Sequence, residues 1–463
     1  MFSDLKRRFL RDRSGATAII FALSIIPIIF LTGMGIDFSS AAQKRIVLNE
    51  AADAAALSMV TPSAMQKETC ATAQTNAQNI FLGEAQAYVA AHGSILNYSA
   101  PSITGCVDNA STRTVTVNYT ASSVNAFPNV LGQSNWQISG SSTATASIAP
   151  NINFYLLLDN SPSMDIAATT SGINMMVANT SEQGGCALAC HESNPTASDV
   201  EGNPNGEDNY TLAKNLGVVT RIENMASATS SLMSTASQTM TTNNATCPNG
   251  PGCYQMAIFT FDVQGTTNSQ CSSTSIQAIY APGCSPSSDL SAAQTAAGGI
   301  DVLEVCSNNN LTCSDDNNDT DTDFETAMKT VNKIMPNPGS GTSASTPQEV
   351  LFLVTDGVDD EVNSSSCSQT LDGSRCQQPF DTSWCTTVKN RGIRIAVLYT
   401  EYLPLPTNAW YNDWVAPFQS QIGPNMQSCA SSGLYFQVTT DGDITAAMVA
   451  LFQQAISTAR LSQ

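Results

Sequence analysis

Histidine is all but absent: His92 and His191 are the only two in 463 residues. A Cys/His zinc cage would have to be completed by distant cysteines. Basic residues are also scarce, 18 lysines and arginines against 38 aspartates and glutamates, for a formal charge of -20. Phosphate binding needs clustered Lys and Arg, so nucleic acid is excluded as a partner. No Cys-x-x-Cys pair occurs, and Cys186-Ala-Leu-Ala-Cys190-His191 has three residues between its cysteines where a c-type haem site wants two. The H-E-x-x-H, G-x-S-x-G and G-x-x-x-x-G-K-[ST] signatures are missing, and Gly339–Thr346 ("GSGTSAST") lacks a P-loop lysine. The expectation is a protein that is not an enzyme and takes no small-molecule substrate.

What basic charge there is lies at one end. Lys6, Arg7, Arg8, Arg11 and Arg13 fall within the first thirteen positions, leaving 13 bases against 36 acids in the remainder. An uncharged run, Gly15–Ile36, follows. About 20 apolar residues span a hydrocarbon core, and a basic flank stays cytoplasmic, so everything after Asp37 is expected across the membrane. The run is longer than the usual signal-peptide core of about 7–15 residues, which favours a retained anchor over a cleaved leader. All fourteen cysteines come after it. In an oxidising compartment they read as local disulfides, and pairing neighbours gives 70–106, 186–190, 247–253, 271–284, 306–313, 367–376 and 385–429.

The organisation follows from texture. Residues 1–14 form a basic cytoplasmic N-terminus, 15–36 a transmembrane helix, and 37–150 a helical stem with a small α+β module. From 151 to 463 near-continuous apolar strands recur at Ile152–Asp159, Tyr254–Asp262, Glu349–Asp356, Gly392–Thr400 and Leu434–Thr440. Such runs suit strands covered on both faces. Helical patterns at about 210–240, 322–335, 382–391 and 444–460 alternate with them, which predicts an α/β, doubly wound, mostly parallel sheet of Rossmann type. Long polar, cysteine-bearing loops are expected at about 166–208, 264–313 and 359–380.

Ligands of such sheets sit at the carboxyl ends of the strands. There the sequence places Asp159, Ser161 and Ser163 at i, i+2 and i+4, and Thr355-Asp356-Gly357 after a second strand. These are oxygen donors without nitrogen or sulfur, the chemistry of a hard cation: Mg²⁺ first, Mn²⁺ next, then Ca²⁺. Each piece has a plainer reading. D-x-S-x-S arises by chance in serine-rich chains, Thr322 with Glu325 is an ordinary capping box, and Thr355-Asp356 a strand-end turn. The acidic stretch Ser314–Asp323 lacks the glycine and bidentate glutamate of an EF-hand and reads as a solvated run.

Taken together, Asp159-Asn-Ser161-Pro-Ser163, a threonine opening the helix near 322–335, and Thr355-Asp356-Gly357 resemble the von Willebrand factor A family. That resemblance implies a metal-ion-dependent adhesion site formed by Asp159, Ser161, Ser163, Thr322 and Asp356, with Thr320 as an alternative to Thr322. One coordination position would be left for a partner's carboxylate. Residues 13–60, with "RSGATAIIFAL" and "AADAAAL", resemble the leader of TadE/TadG-like proteins of the tight-adherence (Flp) pilus. Ile20 stands where pseudopilin relatives carry a processing-linked glutamate, which favours a permanent anchor over a pilin subunit. The two resemblances imply a single-pass protein of the bacterial inner membrane whose periplasmic A domain binds other pilus-assembly proteins. A surface adhesin, or a structural tether with an empty metal site, are the alternatives.

Overall fold

The computed structural model describes residues 14–461 except 94–95, 108–111, 129–131, 148, 182–184, 187–207, 244, 246, 264–270, 272–274, 304–320, 363–374, 403, 406–410 and 440. It divides into two compact units, Met1–Ile148 and Ala149–Gln463.

The first unit opens with one helix, α1 (Ser14–Met59). The sequence suggested a span ending at Ile36 followed by a separate helical stem from Asp37. No proline lies at their junction, so the two run on as a single helix. Its halves meet different surroundings. Between Ile19 and Ile36 the large apolar side chains are exposed, with a mean hydropathy of 2.5 over the most apolar window. Among the described residues this is the one helix long and apolar enough to cross a membrane. From Gly33 onward buried positions recur at Asp37, Ala41, Lys44, Leu48, Ala51, Ala52, Ala55, Ala56 and Met59, the three-and-four spacing of an inward stripe. This explains the run "AADAAAL": its four buried alanines face the core, while Asp53, Ala54 and Leu57 point outward.

After the short α2 (Pro62–Lys67), α3 (Cys70–His92) brings Ala73, Ala77, Phe81 and Ala85 into the same core. Small side chains on both helices permit close approach. A four-stranded antiparallel sheet completes the unit: β1 (Leu96–Tyr98), β2 (Ser102–Thr104), β3 (Thr112–Val124) and β4 (Asn135–Ser147). Strand β3 pairs with all three others and turns Val115, Val117, Tyr119 and Ala121 inward in strict alternation. Buried Arg113 on the same face donates through Nη1 to Met59 O (3.0 Å) and Ala64 O (3.3 Å), satisfying carbonyls at the end of α1 and in α2.

The second unit is built around a six-stranded sheet. In chain order its elements are β5 (Ile152–Asp159), α4 (Thr170–Asn179), α5 (Asn209–Asn215), α6 (Arg221–Thr242), β6 (Tyr254–Phe261), β7 (Ile276–Tyr280), α7 (Leu290–Ala297), α8 (Phe324–Ile334), β8 (Gln348–Thr355), β9 (Val358–Val362), β10 (Arg375–Pro379), α9 (Ser383–Asn390), β11 (Arg394–Thr400), α10 (Gln419–Cys429), β12 (Tyr435–Val438) and α11 (Ile444–Leu461). The strand order is β12-β11-β8-β5-β6-β7, parallel except for β7. Every residue of β5 and β8 is buried. Phe154, Leu156 and Leu158 join one core with α6, α7 and α11, whereas Tyr155 and Leu157 join another with α4, α8, α9 and α10. Helices on both faces are the reason these strands are apolar without alternation, and the doubly wound α/β class is as expected.

Three regions expected to be long loops contain regular structure. Helix α4 lies in 166–208, β7 and α7 lie in 264–313, and a two-stranded ribbon of β9 and β10 lies in 359–380. These elements are short, and β7 is an edge strand with the half-buried run "IQAIY", too little pattern to stand out from turn-rich surroundings. Helix α10 was also missed: it carries Gly423 and Pro424 internally and few apolar residues. The single helix expected near 210–240 is two, interrupted at Gly217, whose φ of +69° is left-handed.

Four of the neighbour pairings are present as disulfides, Cys70–Cys106, Cys247–Cys253, Cys271–Cys284 and Cys385–Cys429. Cys186 and Cys376 are disulfide-bonded as well. Cys190, His191, Cys306, Cys313, Cys367 and residues 314–320 of the acidic stretch, Thr320 among them, lie outside the described residues.

One buried acid sits at the amino end of the sheet. Glu349 is 1% exposed, and its Oε1 accepts a 3.0 Å bond from Asn153 Nδ2 on the neighbouring strand, while Oε2 has no partner. Burial pushes its carboxyl up to about 8. A raised carboxyl favours the folded state at low pH and loses that contribution as pH rises through the folded value. Stability of the wild type should therefore fall between pH 5 and pH 9. Glu349→Gln should flatten this slope and raise stability above pH 8 by on the order of 1–2 kcal/mol, as read by urea unfolding at several pH values.

Candidate metal centre

The register of the sheet brings the two acid-bearing strand ends together. Leu158 of β5 stands opposite Val354 of β8, so Asp159 and Thr355 come next, side by side. Thr355 Oγ1 donates to Asp159 Oδ2 at 2.6 Å. Asp159 Oδ1 accepts from Ser161 N (3.0 Å) and Ser161 Oγ (2.7 Å). Pro162 then opens a 3₁₀ turn, Pro162–Asp165, pinned by Met164 N donating to Ser161 O at 2.9 Å. This turn brings Ser163 Oγ to 3.0 Å from Ser161 Oγ. The proline has a clear local role, since its fixed φ suits the first residue of a helical turn.

Asp356 leaves β8 into a turn at Gly357, with φ +79°; a Cβ there would meet Ile422 Cγ2 at 2.6 Å. Glycine is required at that position by both conformation and space. Gly357 N donates to Thr355 Oγ1 at 3.0 Å, and Asp356 Oδ1 accepts from Val358 N at 3.3 Å. Asp356 Oδ2 is buried and has no hydrogen-bond partner.

Thr322 is placed differently. It is buried in a two-residue bridge with Asp360, Thr322 N to Asp360 O and Asp360 N to Thr322 O both 2.9 Å. The cap of α8 is the next residue, Asp323, which accepts from Thr326 N at 2.9 Å, so the capping box read for Thr322 and Glu325 is not formed. A chain of contacts ties this segment to the β5 loop: Asp323 N donates to Asp262 O (3.3 Å), and Asn160 Nδ2 donates to Asp262 Oδ2 (2.9 Å). Hydrogen bonding thus joins Asp159, Ser161, Ser163 and Thr355 directly, and the Thr322 segment through its neighbours. Thr322's own hydroxyl takes no part in those bonds.

The electrostatics are those of like charges held out of water. Burial, and then the Asp356 charge, raise the Asp159 carboxyl above its ordinary range, opposed by the Ser161 and Thr355 bonds. Burial likewise raises Asp356, opposed by Ser163 and by the Arg221 guanidinium. Arg221 opens α6 and is 4% exposed; Nη2 donates to Glu401 O at 2.8 Å and Nη1 has no partner. Sequence reasoning missed this residue, because a lone arginine after a helix cap carries no signal of what it will face. One guanidinium against two carboxylates leaves negative charge unneutralised.

These residues fit a hard divalent cation. The donors are all oxygens, the two carboxylates repel each other, and one buried carboxylate oxygen lacks a partner. Asp159, Ser161, Ser163 and Asp356 are the ones that would hold it. A bound ion would supply positive charge able to take an anionic ligand. Among the described residues no group of three or more His, Cys, Asp or Glu side chains could hold a metal ion without hydroxyl donors.

The sign of the pH effect follows. Without metal, raised carboxyls stabilise the fold at low pH and lose that contribution as pH rises above the ordinary carboxylate range. Metal must displace those protons, so the rise in melting temperature on adding Mg²⁺ should grow from pH 5 to pH 8. Asp159→Asn should abolish the rise, and in EDTA at pH 8 it should match or exceed wild-type stability by about 1–2 kcal/mol because one buried charge is gone. Differential scanning fluorimetry across pH reads both.

Residues 15–60 match the family model described as "Flp pilus-assembly TadE/G-like". No curated protein matches the chain. Two solved structures of proximal thread matrix protein 1 from the mussel byssus are similar to it. One, with a zinc-occupied MIDAS motif, is 13% identical over 66% of this chain and 46% of that one, at a TM-score of 0.29. The other, a second crystal form, is 12% identical over 68% and 46%, at a TM-score of 0.27. The chain thus spans under half the length of those proteins. Residues 15–60 thus match a TadE/G-like Flp pilus-assembly segment, and the second unit, Ala149–Gln463, is a doubly wound α/β fold.

Proposed function

We propose that this protein is a non-enzymatic binding component of Flp (tight-adherence) pilus assembly, held in the bacterial inner membrane by α1. Its basic N-terminus would lie in the cytoplasm and its folded units in the periplasm. The α/β unit would grip an acidic side chain of another pilus-assembly protein through a divalent ion, Mg²⁺ or Mn²⁺ ahead of Ca²⁺, held by Asp159, Ser161, Ser163, Thr322 and Asp356.

The observation that carries this reading is the unpartnered, buried Oδ2 of Asp356 beside the Asp159–Ser161–Ser163 oxygens. A buried carboxylate oxygen without a donor is costly unless something else satisfies it. The TadE/G-like segment supports the pilus context. The disulfides support an oxidising compartment, which the periplasm provides. With the ion in place, the partner's carboxylate would complete its coordination, so affinity would depend on metal.

Full-length protein in detergent should be more stable with Mg²⁺ or Mn²⁺ than in EDTA, by about 2.7 kcal/mol at a hundredfold excess over the dissociation constant, and so melt higher. Asp159→Ala should not respond. In cells, photo-crosslinks from the α/β unit to pilus-assembly proteins should be lost with the same variant. A protein that ignores every ion yet still assembles pili would instead be a tether with an empty site.

A further inference from the structure

The contact stripe on α1 begins inside the uncharged run rather than after it. Gly33 is its first buried position, and a Cβ built there would lie 3.4 Å from Cβ and Cγ of Phe127. Phe127 belongs to the turn Asn125–Pro128, where the chain leaves β3. The run ends at Ile36, so this contact lies about 4.5 Å inside its boundary at 1.5 Å per helical residue.

The turn is fixed there by Asp37. That side chain is 1% exposed, and its carboxylate accepts from Ala126 N (2.7 Å, Oδ1) and Phe127 N (3.3 Å, Oδ2). A charge at the edge of an apolar span is thereby satisfied by backbone donors and turned away from the surroundings. Asn125 closes the turn from within, its N donating to Ser134 O and its Nδ2 to Gln133 O, both at 2.9 Å. Next to it Phe38 stands edge-on to Trp136, with ring centroids 6.4 Å apart. Phe127 is 38% exposed and Phe38 63% exposed. The turn therefore offers apolar and aromatic surface at the level where a bilayer meets water, the place Trp and other amphipathic rings favour.

We infer that Asn125–Pro128, where the chain leaves β3, is a second membrane contact, dipping Phe127 into the lipid interface beside α1, with the Phe38–Trp136 pair at headgroup level. The partner is the bilayer that holds α1, and the inference rests on reading α1 as a membrane anchor. The occupant is argued from continuity: the turn packs on the apolar span itself, so lipid that surrounds the helix there must also meet the turn.

The test uses full-length protein in phosphatidylethanolamine/phosphatidylglycerol vesicles, with p-benzoylphenylalanine placed in turn at Phe21, Phe127 and Val107. Val107 is 61% exposed and follows β2, which pairs with β3 well away from the turn. After illumination, mass spectrometry should find lipid adducts at 21 and 127 and none above background at 107. Adducts at 21 without adducts at 127, or crosslinks from 127 only to α1, would overturn the inference and leave the anchor standing. Loss of adducts at 21 as well would overturn the anchor reading itself. A fully apolar-to-charged change, Phe127→Asp, gives a second readout: hydrogen exchange at Ala126 and Phe127 should rise in vesicles, and an unchanged rate would count against lipid contact.

Discussion

Two carboxylates end neighbouring parallel strands in a place water does not reach, and the architecture of the α/β unit around the site depends on keeping them there. A sheet covered on both faces has no room for polar groups along its strands, so its chemistry is pushed to the strand ends. The loops at that end are shaped accordingly. Pro162 sets the turn that presents Ser161 and Ser163, Gly357 lets β8 turn sharply beneath Ile422, and Thr355 holds the back of Asp159. Hydroxyls and amides satisfy three of the four carboxylate oxygens. The fourth, with Arg221 behind it, is where the charge balance remains open.

Much of this was legible in the sequence because burial writes itself plainly there. Strands such as "YLLLD" and "LFLVTD" are apolar on both faces, and that alone gave the parallel core of the sheet. D-x-S-x-S and T-D-G lie at strand ends, where short range determines their placement. Thr322 was harder, because its position depends on long-range contacts through Asp262 and Asp360 that no local pattern encodes. Arg221 illustrates the same limit: nothing near it in sequence indicates that it will be buried behind Asp356. The β9–β10 ribbon and β7 escaped notice because short, half-polar strands look like the loops that surround them.

The leader tells a related story about small residues. An alanine-rich stretch looks merely helical in sequence. In the fold its buried alanines line one side of α1 and let α3 and the antiparallel sheet pack closely, while the exposed side keeps Asp53 and Leu57. The same helix therefore carries two kinds of surface, with bulky side chains outward in its first half and small ones inward in its second.

Beyond Pro27, its one internal proline, α1 runs on to Met59 as continuous helix, so the end of the apolar run and the packed half belong to one element. Hydrophobic mismatch commonly makes a membrane helix tilt. In an anchor of this kind no proline separates Ile28 from the packed half, and Asp37 and Arg113 tie that half to the sheet and its turn at both ends. Bilayer thickness becomes a mechanical setting for the whole N-terminal unit, as the angle of a keel sets the lean of its mast.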